Sequence, residues 1–318
     1  KKVLSELSEI VGGAEHDIVV SVEMAARLDL ILARARHGVA LGGSLALASD
    51  PSCPTGVRLN EARHPLLGDG VVPITIDIPQ DRPVMVITGP NTGGKTVAMK
   101  TLGLLALMHQ SGLRIPVSGG STIPVFEGIY ADIGDQQSVE GSVSTFGSHI
   151  SNVIDILSHA TSNSLVLLDE LGTSTDPEEG AALAKAVLGH LARRGITTAA
   201  TTHHRSVAAH IEATPGTMNA SVDLDPRSLN PTFHLTMGVP GRSYAMSVAA
   251  QLGLPEGIME EARSLLEPQH RRFEDWLGEL QRDREQLKTR LADAEQLRKS
   301  SEHTQRLLQE QMDDLEYR

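Results

Sequence analysis

Cysteine is nearly absent from this chain of 318 residues, which contains only Cys53. A single cysteine cannot form an internal disulfide, so a disulfide-stabilised secreted scaffold is excluded and a cytoplasmic location is expected. No apolar run approaches the roughly 20 residues that span a bilayer, so we expect neither a membrane segment nor a membrane partner. Basic residues are also scarce, with 28 Lys and Arg against 40 Asp and Glu. The resulting net charge of −12 argues against a broad nucleic-acid-binding face.

The chain is long enough for one large domain or two moderate ones. Its pattern predicts three segments: helical residues 1–56 that end in a turn-rich linker, an alternation of strands and helices over 57–268, and a charged helix over 269–318. The first segment begins at Lys1 inside a helical pattern and without Met, so we expect a piece of a longer protein.

The middle segment predicts an α/β domain with a largely parallel sheet, because short β-branched runs alternate with helical patterns. The predicted strands are 57–59, 74–78, 84–88, 129–132, 165–169 and 197–201. In the first segment, apolar residues between Val22 and Ala35 predict a nearly buried helix that ends near Gly38. In the last segment, apolar residues recur every seven positions beside a half-polar second register. This pattern is typical of an imperfect coiled coil or of a lone solvated helix.

A glycine-rich phosphate loop follows the predicted strand 84–88 and opens a helix. Residues 89–96 fit the pattern G-x-x-x-x-G-K-[ST], and strand, loop and helix are the context that this motif requires. Lys95 is expected to neutralise the β- and γ-phosphates of ATP, and the Thr96 hydroxyl to bind Mg²⁺. The predicted nucleotide contacts are Gly89, Pro90, Asn91, Thr92, Gly93, Gly94, Lys95, Thr96 and Val97.

Two carboxylates and a histidine stand where further strands end. Asp169 ends the predicted buried strand 165–169, and Glu170 follows it. This position would place Asp169 at Mg²⁺ and Glu170 beside the attacking water, as a general base. Adjacent carboxylates can also cap a helix, but their pairing with the phosphate loop disfavours that interpretation. His203 follows the strand 197–201, and we favour a γ-phosphate sensor over a structural histidine.

Hydroxyl residues precede another predicted helix, which begins near Ser148. Ser144 or Thr145 makes a good N-cap, which is a purely structural role. The same helix start could instead present N–H groups and hydroxyls to a γ-phosphate. The residues suit both roles equally.

Together these motifs resemble the ATPase domain of the MutS family, ABC-class ATPases of DNA mismatch repair and its relatives. The residues that carry the resemblance are 63–65, the phosphate loop, 144–146, 168–172, His203 and 241–245. Residues 239–243 and 176–180 are similar to the second bacterial branch, MutS-two. The resemblance implies an ABC-class P-loop domain flanked by an N-terminal core and lever helix and by a C-terminal linker helix or coiled coil.

The resemblance also implies a homodimer with two composite ATP sites. Each site would take Ser144 and Thr145 from the second subunit and the remaining catalytic groups from the first. Val72 and His234 would lie near adenine, and Gln136, which departs from the paired aspartates of repair-type relatives, would contact Mg²⁺ or its water. Such proteins close as clamps on DNA, with roles in branched DNA and recombination, or act on collided ribosomes. Nuclease activity is not expected of this chain.

Three other kinds of nucleotide-binding protein share some of these motifs. A transport-type ABC ATPase is disfavoured because the chain has no L-S-G-G-Q run. An SMC-like or Rad50-like ATPase carries a coiled coil between its phosphate loop and its carboxylate strand. In this chain about 70 residues separate those two elements, which leaves no room for a coiled coil. A nucleotide-gated scaffold without hydrolysis is disfavoured by a set of four residues that hydrolysis would use: Lys95, Asp169, Glu170 and His203.

Overall fold

The computed structural model describes residues 1–47, 56–68, 70–134, 145–173, 175–225, 228–241 and 244–265, with ten single residues between 286 and 305. It divides into two compact units, Lys1–Tyr244 and Ala245–Arg318. Gln136, Ser144 and most of the predicted C-terminal helix lie outside the described residues, as does the side chain of Thr145.

The first unit contains eight strands, six α-helices and a short 3-10 helix (Asn91–Gly93) among its described residues. The strands are β1 (Val57–Ala62), β2 (Ile74–Ile78), β3 (Val84–Thr88), β4 (Gly128–Asp132), β5 (Ser164–Leu168), β6 (Thr197–Thr201), β7 (Thr217–Leu224) and β8 (Pro231–Met237). The helices are α1 (Lys2–Gly13), α2 (Glu15–Ala40), α3 (Lys95–Gln110), α4 (Thr145–His159), α5 (Pro177–Arg193) and α6 (Arg205–Ala213). The second unit contains α7 (Ala245–Gln251) and α8 (Glu256–Leu265).

Six strands form one mixed sheet in the order β4-β5-β6-β3-β7-β8. The first five run parallel, and β8 pairs antiparallel with β7 at the edge. Strands β3 and β5 are buried along their whole length, as expected for parallel strands covered on both faces. The predicted α/β architecture with a largely parallel sheet is confirmed. However, β1 and β2 form a separate antiparallel pair, and β7 and β8 were not predicted.

The hydrophobic core lies on both faces of the sheet, because successive strand residues point to opposite sides. Met85 and Ile87 of β3 join α3, β1 and β2 in one cluster. Val84 and Val86 join α4, α5 and α6 in the other. Because five of the strands are parallel, their carboxyl ends lie at one edge of the sheet, and the described segments that follow β3, β5 and β6 meet there.

Helix α2 differs from its prediction. It continues to Ala40, and Gly38 is its only buried residue. Val22, Leu28 and Ile31 are exposed, so the predicted nearly buried helix is wrong for the structure described. An apolar periodicity predicts which face of a helix is apolar, but not whether other residues pack against that face. None of the described helices is both long and apolar enough to cross a bilayer.

Candidate nucleotide site

The phosphate loop connects the end of β3 to the start of α3 in a conformation that needs glycine. Gly89 and Gly94 have φ values of +128° and +90°, in the region that side chains disfavour. A Cβ atom on Gly89 would lie 2.2 Å from the carbonyl oxygen of Val222 in β7. The loop therefore packs directly on the neighbouring strand, with no room for a side chain.

Lys95 is the first residue of α3 and is almost fully buried. Its Nζ donates to the Gly89 carbonyl at 2.8 Å and to Asn91 Oδ1 at 3.2 Å. Burial lowers the pKa of Lys95, while the nearby Glu170 and Asp169 carboxylates oppose that shift. The ammonium thus lies within the loop, where it can meet an anionic ligand, and the two carboxylates favour its charged form. Thr96, next along, is half-buried.

The predicted carboxylates lie at the adjoining strand end. Asp169 is buried, and its N–H donates to the Asp132 carbonyl at the end of β4 over 2.8 Å. Its Oδ1 accepts from the Thr201 hydroxyl at 2.6 Å. The Glu170 N–H donates to the same hydroxyl at 2.8 Å, and Glu170 has a φ of +49°, which is uncommon for a residue other than glycine.

Glu170 and His203 contact each other across this edge. His203 Nε2 lies 3.1 Å from Glu170 Oε1, with about a third of each side chain exposed (34% and 39%). The structure therefore brings together Asp169, Glu170 and His203, as the sequence predicted for residues that follow neighbouring strands. Their catalytic roles stay predictions.

A second polar cluster at this edge was not predicted. The buried Asp132 accepts from His149 Nδ1 at 2.7 Å and from Asn152 Nδ2 at 2.9 Å, both in α4. These bonds fasten the first turns of α4, which begins at Thr145, to the strand end beside Asp169. One signal was available in the sequence, since His149 and Asn152 are three residues apart and so share one face of the helix.

An apolar cavity of about 250 Å³ lies beside the start of α3. Val72 and Val97, both predicted to contact the nucleotide, line it together with Ile74 and Phe233. His64 also lines it, and burial, aided by the positive charge of Lys100, lowers the pKa of that imidazole. His234 is exposed and is not among the lining residues, whereas its neighbour Phe233 was missed by the sequence reasoning. The role of His234 stays a prediction.

The described residues contain no cluster of three or more His, Cys, Asp or Glu side chains able to hold a metal ion. Mg²⁺ does not require one, since it is usually bound by one or two protein oxygens together with substrate phosphates and water. Thr96 and the buried carboxylate of Asp169 are oxygen donors of that kind beside the phosphate loop. The residues present therefore fit a magnesium nucleotide.

Two glycines support the turn that follows Glu170. Gly172 has a φ of +89°, and a Cβ on Gly180 in the first turn of α5 would lie 2.0 Å from the Gly172 carbonyl oxygen. Asp176 caps α5, accepting from the N–H groups of Glu178 and Glu179 at 2.9 and 3.2 Å. The start of α5 is thus packed backbone to backbone against the carboxylate loop.

We expect Gly180→Ala to destabilise the protein by about 1–3 kcal/mol, because the added methyl forces the two backbone segments apart. Gly189→Ala is the matched control in the same helix, since its Cβ would meet only the flexible end of Arg193 at 3.3 Å. Gly189→Ala should leave the free energy of unfolding unchanged or raise it slightly. Urea unfolding of both variants checks the prediction, and equal midpoints would contradict it.

Comparison with known proteins places this chain in a family. Residues 85–269 match the family MutS domain V. The chain is 45% identical over 285 residues to Endonuclease MutS2 of Geobacillus sp. (strain WCH70), which covers 89% of the chain and 36% of that protein. It is 43% identical over 301 residues to Putative endonuclease MutS2 of Bacillus subtilis (strain 168), covering 94% and 38%. Endonuclease MutS2 of Thermomicrobium roseum is 45% identical over 298 residues, covering 91% and 38%.

The chain thus spans less than two fifths of the length of each of these relatives. The match to domain V covers more than half of the chain and includes the phosphate loop, both carboxylates and His203. The chain belongs to the MutS family, on its MutS2 branch.

Proposed function

We propose that the chain binds and hydrolyses ATP with Mg²⁺ as the motor domain of a MutS-like protein. The observation that carries the proposal is the convergence of a buried lysine, a buried carboxylate and a Glu–His pair at one edge of a parallel sheet. The pKa of Lys95, lowered by burial and raised by the two carboxylates, supports the same conclusion, since ionisable groups with perturbed pKa values cluster at functional sites.

Each residue has a distinct task in this proposal. Lys95 and the loop N–H groups bind the phosphates, while Thr96 and Asp169 hold Mg²⁺, which neutralises developing negative charge. Glu170 accepts a proton from the attacking water, and His203 donates a hydrogen bond to the γ-phosphate. The predicted contact of Gln136 with Mg²⁺ belongs to the same proposal.

The base of the nucleotide is proposed to occupy the apolar cavity beside α3. Val72 and Val97 offer aliphatic contacts there, and the Phe233 ring offers a flat surface for stacking. The cavity is continuous with the phosphate loop, because Gly94 lines it as well. A purine attached to loop-bound phosphates would therefore have an apolar surface within reach.

We further propose a homodimer in which Ser144 and Thr145 of one subunit complete the site of the other. The bonds of Asp132 fasten the N-terminal turns of α4 to the sheet edge where the carboxylates lie, and assigning this helix start to the other subunit's site follows the family resemblance. A helix N-terminus favours phosphate through its free N–H groups. The dimer would couple ATP to a clamp on DNA or on ribosomes, as the family resemblance suggests. The net charge of −12 argues against a broad nucleic-acid contact on this chain itself.

Dimerisation is expected to depend on nucleotide. With Mg²⁺ and a non-hydrolysable ATP analogue, light scattering should give twice the mass of the chain, because the γ-phosphate joins the two subunits. ADP is the control and should favour the monomer. A mass that stays monomeric at high protein concentration with the analogue bound would contradict the composite site.

A further inference from the structure

Thr201, the last residue of β6, has a fully buried hydroxyl with two partners in the carboxylate loop. The hydroxyl donates to Asp169 Oδ1 at 2.6 Å and accepts the N–H of Glu170 at 2.8 Å. The Thr201 carbonyl accepts the N–H of Leu171 at 3.0 Å. Three consecutive residues after β5 are therefore fastened to this single side chain and its backbone.

The two hydroxyl bonds act on different properties of the site. A threonine hydroxyl has one proton to give, and here the proton goes to a carboxylate, which makes a short charge-assisted bond. That bond fixes the rotation of the Asp169 carboxylate. The bond from the Glu170 N–H supports a backbone with a φ of +49°, and Glu170 reaches His203 from that backbone.

We infer that Thr201 is a positioning residue for Mg²⁺-dependent ATP hydrolysis, an inference that rests on the proposed function. Its hydroxyl orients Asp169 toward the cation and Glu170 toward His203 and water. Thr201 is 0% exposed and acts only through those two residues. Groups that orient a metal ligand in this way commonly change metal affinity or activity about 10–100-fold when they are removed.

A merely structural role makes a different prediction, and β6 offers a matched control. Thr198 lies on the same strand, is equally buried, and donates to the Ile196 carbonyl at 3.0 Å instead of to the site. Thr198→Val therefore removes a buried hydroxyl from β6 without touching the carboxylate loop. Thr201→Val removes the hydroxyl in question, and Thr201→Ser retains it.

The experiment compares the four proteins in three measurements: melting temperature, affinity for a fluorescent ATP analogue in EDTA and in Mg²⁺, and kcat with KM. For T201V we expect parental affinity in EDTA, loss of most of the Mg²⁺-dependent gain in affinity, and a kcat lowered about 10–100-fold. The kcat of T201S should stay within about threefold of the parental value. T198V should have the kcat and the Mg²⁺ dependence of the parent. Thr201→Cys, with a thiol that is a weak donor, serves if T201V does not fold and should lower kcat similarly.

Parental kcat and Mg²⁺ dependence in T201V or T201C would overturn the inference, because the hydroxyl would then be dispensable. The inference would also be overturned if T201S or T198V lost as much kcat and Mg²⁺-dependent affinity as T201V. Packing of the strand would then explain the effect. A parent protein that neither hydrolyses ATP nor responds to Mg²⁺ would refute the proposed function instead, whatever the variants do.

Discussion

Replacing Glu170 with glutamine is expected to leave ATP binding intact and to lower kcat at least about a hundredfold, the usual range for loss of a general base. The amide has nearly the same shape and keeps an oxygen for the hydrogen bond to His203, but it cannot take a proton from water. Phosphate release gives kcat, and titration with a fluorescent ATP analogue gives the affinity.

Glu179→Gln is the matched control for this result. Glu179 is an exposed carboxylate in the first turn of α5, so its replacement removes the same charge near the site without altering the strand end. It should hydrolyse ATP at close to the parental rate. Parental turnover in the Glu170→Gln protein would show that the general base has been assigned to the wrong residue.

Replacing Lys95 with alanine is expected to weaken ATP binding by about a hundredfold. The variant loses a charged donor to the phosphates together with the bonds that Nζ makes to Gly89 and Asn91. Charged hydrogen bonds contribute about 1.5–3 kcal/mol each, and about 1.4 kcal/mol corresponds to a tenfold change in affinity. Calorimetric titration with ATP and Mg²⁺ measures the effect.

Lys185→Ala removes the same charge from α5 and serves as the control for overall electrostatics. It should bind ATP with nearly parental affinity. If Lys95→Ala kept parental affinity, the phosphates would be bound elsewhere, and the proposed site would be refuted. Melting temperatures of both variants separate lost binding from lost folding.

The parts of the fold that the sequence predicted are those with a strong local signal. Strands β3, β5 and β6 follow continuous apolar or β-branched runs, and the phosphate loop is recognisable from spacing alone. Strand β7 has no such signal, because Asn219 and Ser221 point into its buried surface. Asn219 is accommodated by α6, where Nδ2 donates to the Ala208 carbonyl at 3.0 Å and to Glu212 Oε2 at 2.9 Å. Both partners belong to α6, so the sequence of β7 alone does not reveal that Asn219 can be buried.

The candidate site also contains residues that the sequence predicted and residues that it did not. Asp169, Glu170 and His203 were predictable because parallel strands end at a common edge. Thr201 was not, because its two hydroxyl bonds depend on the register between β5 and β6. Asp132 was not, because its side-chain bonds depend on how α4 packs beside β4. Phe233 lies on β8, whose pairing with β7 at the sheet edge brings it over the start of α3.

The fastening of the phosphate loop has a consequence for how binding energy is used. Lys95 bonds back to Gly89, Gly89 packs on Val222, and the Gly241 N–H donates to Thr88 Oγ1 at 2.7 Å. Fixing the backbone of a mobile residue costs about 1–2 kcal/mol of conformational entropy. A loop that already has one shape avoids most of this loss when it meets phosphate. In the proposed dimer, more of the free energy of ATP binding would then remain for drawing the two subunits together.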